Sequence, residues 1–308
     1  METLRDLGDE WDLTLGTVSD ETRTVYARAV RQFAEWMAAT HPGITDPSGI
    51  ERRHVDGWMR FLADDLGRSE STRRVRLIAL RLFLGYLVDE PDIDLQSNPA
   101  AKVALPSPKV KAVPVIHDAD LSTLLRGIER GATFVDRRDA AIIRVLLDTG
   151  CRRAELAGID VEDIDLRTQD ITLRRTKGGH ERVVPIGAKT ALALRKYLRA
   201  RGRHPAGAVD PALFLSTRGT NRGDHRITGG GVADMIGRRC EVAGLPPINP
   251  HAFRHTWAND LLSNGANETD VERLAGWRSP LMIRRYGAAA ASQRARDSAR
   301  RLARGDRV

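Results

Sequence analysis

Apolar residues recur at helical spacing through the first ninety positions. Val25, Ala29, Phe33 and Met37 predict an amphipathic helix over 22–40. Ser19-Asp20-Glu21-Thr22 offers its N-cap and His41-Pro42-Gly43 stops it. Val55, Trp58, Phe61 and Leu62 predict a second helix over about 52–66. A third starts at Ser69 or Ser71 and runs to about Val88, with Val75, Ile78, Leu82 and Tyr86 as its apolar side and Arg73, Arg74, Arg76 and Arg81 elsewhere. The expectation is a small all-helical domain over 15–100, ended by Asn98-Pro99, with no internal repeat.

The pattern then breaks. Residues 101–114, AKVALPSPKVKAVP, carry Pro106, Pro108 and Pro114, which favour extended backbone. Lys102, Lys109 and Lys111 lie in the same stretch, so it reads either as a solvated spacer or as a basic strap across a phosphate backbone. A second domain, 115–308, opens at His117-Asp118-Ala119-Asp120, a helix start. A largely buried helix follows over 136–148, ending at Thr149-Gly150, and another begins at 152–158. The period then switches to alternation. DITLRRT (170–176) and ERVVPI (181–186) predict two strands around a Lys177-Gly178-Gly179-His180 turn. Helices return at about 188–201, 229–243, 251–264, 268–276 and 289–303. The fold class is mainly α with one small antiparallel β-sheet.

Length and charge sharpen this. A chain of 308 residues is long enough for two cores at about 150 residues per domain. The net charge of +8 points to a polyanionic partner. Its placement is lopsided: Arg278 to Val308 holds nine arginines against two aspartates, while the first 21 residues hold seven acids against Arg5. No apolar run is long enough for a membrane span and the acidic N-terminus lacks a signal-peptide core. The two cysteines, Cys151 and Cys240, are far apart, which excludes a disulfide framework and a cysteine zinc site and suits the cytoplasm.

Candidate chemistry collects where elements begin or turn. Arg152 follows Thr149-Gly150, Lys177 sits in a predicted turn, and His251 and Arg254 share a helix face at i, i+3. Trp277 follows Gly276, and Tyr286 comes nine residues later. Guanidinium forks clamp the non-bridging oxygens of a phosphodiester. A lysine can protonate a leaving alkoxide, a histidine can share that proton, and a tyrosine can be the nucleophile. Each residue alone also has a plain reading: a core tyrosine, a turn lysine, two solvent-facing residues on a helix.

Taken in order, TGCRRAEL (149–156), TKGGHERVVPI (176–186), ALFLST (212–217), NPHAFRHTWANDLLSNGA (249–266), VERLAGW (271–277) and the spacing from Trp277 to Tyr286 resemble the catalytic domain of the tyrosine recombinase (phage integrase) family. SESTRRVRLIALRLFLGYLV (69–88) and NPA (98–100) resemble that family's SAM-like helical core-binding domain. The resemblance implies that Arg152 and Arg254 bind the scissile phosphate, Lys177 protonates the 5′ leaving group, and His251 assists. It implies that Tyr286 forms a 3′-phosphotyrosyl link. Trp277 stands where most members have histidine; its indole N–H can donate but cannot titrate. Glu155 matches an orienting acid, and Arg153 stands where an apolar residue is usual. His255 suits a structural hydrogen bond.

The implied reaction is site-specific recombination of double-stranded DNA through a Holliday junction, by a tetramer on two DNA sites, with no cofactor and no metal. The implied DNA contacts outside the cleavage centre are Arg73, Arg74, Arg76, Lys102, Lys109 and Lys111. The basic C-terminal segment, 288–304, reads either as a helix docking on a neighbouring protomer or as a DNA-contacting or solvated tail. With core-binding helices starting near residue 20, a compact Xer-like layout without an arm-binding domain is expected. Two other readings use the same residues: a DNA-binding protein of this fold without the chemistry, and a topoisomerase IB-like relaxation enzyme. A metal-dependent transposase would need three converging carboxylates.

Overall fold

The computed structural model describes residues 3–107, 115–174, 181–217, 225–277, 283, 295–296, 299–300 and 302–307. The chain forms two compact units, Met1–Val110 and Lys111–Val308.

The first unit is all-helical: α1 Leu4–Thr14, α2 Asp20–Thr40, α3 Arg52–Asp64 and α4 Glu70–Asp89. Serine caps start two of them, Ser19 on Thr22 N and Ser69 on Thr72 N. Phe33, Trp58, Leu62, Leu80 and Phe83 are fully buried and form the centre of the core. Three features depart from the sequence expectation. Helix α1 lies ahead of residue 15, and its Leu7 and Trp11 are buried in this same core, with Trp11 5.6 Å from Phe83 between ring centroids. These two apolar anchors are diluted by acids, which masks the periodicity. Second, α4 buries Leu77, Leu80, Phe83, Leu84 and Leu87, whereas Val75 and Leu82, two of the four residues expected inward, are exposed. This helix carries apolar residues on most sides, so two stripes of 3–4 spacing compete and the leucine stripe wins by burying more area. Val25 on α2 is likewise exposed, while Ala29, Phe33 and Met37 are buried as expected.

Third, the start of the expected linker is not an extended spacer. Ala100 and Val103 are buried in the helical core. Arg81 Nε donates to the Ala100 carbonyl at 2.9 Å and its Nη2 to that of Val103. Arg74 Nη1 donates to the Pro106 carbonyl at 3.0 Å. Residues 100–106 are thus fastened to α4 by two arginines. The proline-lysine stretch beyond, with Lys109 and Lys111, lies outside the described residues.

The second unit contains α5 Asp118–Glu129, α6 Phe134–Thr149, α7 Arg153–Ala157, α8 Ala188–Arg201, α9 Gly229–Val242, α10 Pro250–Ser263 and α11 Glu268–Ala275. A three-stranded antiparallel sheet in the order β1 (Ile164–Asp165), β2 (Asp170–Leu173), β3 (Arg182–Pro185) sits between α7 and α8 in sequence. Strand β1 is invisible in the sequence pattern, because two residues carry no alternation. The β2–β3 register runs from Asp170 opposite Pro185 to Leu173 opposite Arg182. Segment 175–180, including Lys177, lies outside the described residues, as does most of the helix expected at 289–303. Ile142, Leu146, Ile171, Leu194, Tyr197, Phe214, Ile236 and Phe253 are fully or almost fully buried and join α6, α8, α9, α10 and the sheet into one core. No described helix is long and apolar enough to cross a membrane.

Candidate active site

The site grows from the end of α6. Gly150 takes a left-handed conformation (φ 54°) as the helix C-cap, its N–H donating to the Leu146 carbonyl at 3.0 Å. An added Cβ there would lie 2.3 Å from Trp257 Cε3 on α10. Glycine is therefore required twice, by backbone conformation and by the indole against it. Gly150→Ala is expected to cost about 2–5 kcal/mol of stability, from the left-handed backbone and the overpacked contact together. Urea denaturation measures this, and a wild-type midpoint would show that the turn relaxes freely.

Two residues later Arg152 is the N-cap of α7, with extended backbone. Glu155, 3% exposed, reaches back to it: Oε2 accepts from the Arg152 N–H at 2.8 Å and Oε1 from Arg152 Nη1 at 2.8 Å. Burial pushes the Glu155 carboxyl up, but the bond from Arg182 and the Arg152 N–H outweigh it, and its pKa ends below the ordinary value. Arg152 spends one nitrogen on this pair and is still about one-third exposed.

Arg254, on α10, is 1% exposed. Its Nη1 donates to the Gly150 carbonyl at 2.7 Å and its Nη2 to the Ala275 carbonyl at 2.6 Å, so it ties the ends of α6 and α11 together. Carbonyl partners hold a guanidinium without cancelling its charge. Trp277 follows Gly276, the left-handed C-cap of α11 (φ 64°), and its ring lies 5.1 Å from Arg254 Cζ, a cation–π contact. His251, in the first turn of α10, is exposed and meets the buried His255 edge-on at 4.9 Å between centroids.

These residues converge. A cleft of about 390 Å³ is lined by Cys151, Arg152, Arg153, Ala154, Asn249, Pro250, His251 and Arg254. Two sequence segments a hundred residues apart therefore present three arginines and a histidine to one space. The N-terminus of α10, with its partial positive charge, borders it as well. Cys151 is buried, and desolvation pushes its thiol up to about 11, so it is a packing residue rather than a nucleophile. The arrangement suits a multi-oxygen anion, which guanidinium forks can clamp. No group of three His, Cys, Asp or Glu among the described residues could hold a metal ion.

Of the residues singled out from the sequence, the structure brings Arg152, Glu155, His251, Arg254 and Trp277 together. Lys177 and Tyr286 lie outside the described residues. In the helical unit, Arg73, Arg74 and Arg76 are half-buried and Lys102 is exposed. Arg73 Nε and Arg76 Nη1 are buried without a hydrogen-bond partner among the described residues, and burial, then Arg68 and Arg28, lower the Arg76 pKa. Arg182 joins the site residues although its motif position does not single it out. Arg182 on β3 pairs with Glu155, Nη2 to Oε2 at 2.8 Å and Nη1 to Oε1 at 3.3 Å, and its Nε donates to the Leu274 carbonyl at 2.8 Å. The signal was present: alternation puts 182 on the same strand face as the buried Val184 and Ile186, and a cation there needs a buried partner.

The profile of the phage integrase family matches residues 115–293. This chain belongs to the phage integrase family. Among curated relatives of this chain, a tyrosine recombinase XerC from Pelobacter propionicus is 30% identical over 270 residues, 87% of this chain and 85% of the relative. A tyrosine recombinase XerC from Thermodesulfovibrio yellowstonii is 34% identical, over 84% and 82%. Among solved structures, XerH site-specific recombinase bound to palindromic difH substrate matches this chain with a TM-score of 0.73 at 17% identity, covering 96% of this chain and 84% of that one. The Tn1549 transposon integrase in complex with transposon right end DNA matches with a TM-score of 0.72 at 21% identity, covering 98% and 100%. The integrase fold thus extends over both units, and the chain is a tyrosine-type site-specific DNA recombinase.

Proposed function

We propose that this recombinase cuts and rejoins double-stranded DNA at a specific site through a 3′-phosphotyrosyl intermediate on Tyr286, as one protomer of a tetramer on two DNA sites. The observation that carries this is the convergence of Arg152, Arg254 and His251 on one cleft. In the proposed step the Tyr286 oxygen attacks phosphorus and the bond to the 5′ oxygen breaks. Arg152 and Arg254 stabilise the charge on the non-bridging oxygens, with His251 and the Trp277 N–H as further donors. Glu155 orients Arg152, and Lys177 delivers a proton to the departing 5′ alkoxide. The phosphotyrosine keeps the bond energy, so a 5′ hydroxyl from another strand can reverse the step and form a Holliday junction without nucleotide cofactor or metal.

The elimination of another tyrosine supports the assignment. The sequence has four tyrosines, two of them, Tyr197 and Tyr286, in the second unit. Tyr197 is fully buried, its hydroxyl donating to the Leu213 carbonyl at 3.0 Å and accepting from the Leu215 N–H at 3.1 Å; burial pushes its pKa to about 12. DNA grip outside the cleft is assigned to Arg73, Arg74, Arg76, Lys102, Lys109 and Lys111, acting on phosphates. The cytoplasm is the proposed compartment, with the protein on DNA.

Suicide substrates nicked near the site test the reaction. The protein should form an SDS-stable adduct with its own site in EDTA, and random supercoiled plasmid should not be relaxed at a comparable rate. Adducts lost in EDTA, or site-independent relaxation, would replace this reading with a metal-dependent or topoisomerase-like one. The general acid has its own test. Lys177→Ala should slow cleavage of a normal phosphodiester, and far less so when sulfur replaces the 5′ oxygen, because a thiolate departs without a proton. A defect of equal size on both substrates would move the proton donor elsewhere, with His251 the first candidate.

A further inference from the structure

The segment around Lys177 contributes more than its lysine. Strand β3 returns from that segment, and its first residue, Arg182, is only one-tenth exposed at the side chain. Its guanidinium bridges both oxygens of the Glu155 carboxylate, and Arg152 reaches the same two oxygens, Oε1 with its guanidinium and Oε2 with its backbone N–H. The same guanidinium holds the Leu274 carbonyl in the last turn of α11. Gly276, one residue before Trp277, lies against it: an added Cβ there would be 3.1 Å from Arg182 Nη1. Arg182 therefore links the strand on which it lies to the arginine at α7, through one carboxylate, and directly to the helix end that carries Trp277.

We infer that Arg182 is a positioning residue for DNA cleavage, which divides the Glu155 carboxylate so that Arg152 presents its remaining donors to the cleft. The inference rests on the phosphodiester-cleaving role proposed for Arg152. Its physical basis is competition for one carboxylate. Glu155 is almost wholly buried and must be satisfied by hydrogen bonds. With Arg182 present, Arg152 gives it one guanidinium nitrogen. Without Arg182, the most favourable arrangement left to Glu155 is a two-pronged fork from Arg152, which turns the edge needed by phosphate into the protein. Arg182 also supplies the bond that most strongly offsets the burial of Glu155. Removing it lets burial raise the carboxyl, and a protonated Glu155 no longer orients Arg152.

The test compares Arg182→Gln and Arg182→Lys with wild type in single-turnover cleavage of the nicked suicide substrate between about pH 5.5 and 8.5, alongside affinity for the intact site. Arg182→Gln should cleave about 10- to 100-fold more slowly at pH 8, with affinity within about threefold of wild type. Its rate should fall further as pH drops, because Glu155 is needed ionised and its pKa now lies higher. Wild type should show no such step, since its Glu155 pKa is below the ordinary value. Arg182→Lys should remove the acid step, because an ammonium keeps Glu155 charged. It should recover the rate only in part, because an ammonium lacks the planar fork with which Arg182 spans Glu155 and Leu274. Equal losses of rate and affinity at every pH, or an acid step of the same size in both variants, would overturn the inference and leave Arg182 a plain structural ion pair. If Arg182→Gln fails to fold, the lysine variant decides. A rate at least about tenfold down at unchanged affinity supports the positioning role, and a wild-type rate removes it. Failure of the wild-type protein to form an adduct is a separate result, which overturns the proposed reaction rather than the role of Arg182.

Discussion

Tyr286→Phe should abolish the SDS-stable protein–DNA adduct while leaving affinity for the intact site within about twofold, since the change removes one hydroxyl and no charge. Among the described residues lining the cleft, Cys151 and His251 are the other candidate nucleophiles. Cys151, the one thiol lining it, is buried, and its pKa of about 11 keeps it protonated at neutral pH. His251 could attack phosphorus, but a phosphohistidine adduct is acid-labile and would be recognised by its loss at low pH. Tyr197→Phe is the matched control. It breaks bonds to the Leu213 and Leu215 backbone and should lower stability by about 1–3 kcal/mol, yet still give adduct in the folded fraction. Trapping on a radiolabelled suicide substrate separates the two variants. An adduct of wild-type yield from the Tyr286 variant would move the nucleophile to another residue.

The legibility of the chain followed the physics of each signal. Long helices with a single apolar stripe, such as α2 and α3, were readable because periodicity sums over several turns. Helix α6 and its glycine stop were readable from a buried run ending in Thr149-Gly150, and the structure adds the reason, a left-handed cap pressed on Trp257. Periodicity locates helix α4 but not its inward face, since apolar residues cover most of its circumference. Helix α1 and strand β1 were invisible, one through acidic dilution and the other through length. The site divides the same way. Arg152, Glu155, His251, Arg254 and Trp277 could be singled out because motif order ties them together. What no spacing rule carries is that Arg254 holds two carbonyls from segments 104 and 21 residues away. Nor does spacing show that Glu155 is shared by two arginines 30 residues apart in sequence, since such partners meet only after the core has formed.

That double carbonyl grip sets the other large expected effect. Arg254→Lys keeps one positive charge but replaces a planar fork with a single nitrogen. An ammonium has no planar fork to reproduce the two bonds at 2.7 and 2.6 Å to the Gly150 and Ala275 carbonyls, so one buried carbonyl is expected to lose its donor. That loss alone is worth about 1–3 kcal/mol, and the flat face that lies against the Trp277 ring is lost with it. Cleavage should fall further than stability does, by at least about a hundredfold in single turnover, comparable to removing one preorganised donor from an oxyanion site. Measuring both quantities decides which role the guanidinium has. Urea denaturation reports the carbonyl clamp, and the cleavage rate of the folded fraction reports the phosphate clamp. A variant that is destabilised yet cleaves at the wild-type rate once folded would confine Arg254 to holding α6 against α11. A variant of near-normal stability that cleaves a hundredfold more slowly would show that the carbonyls serve to aim a charge the phosphate needs.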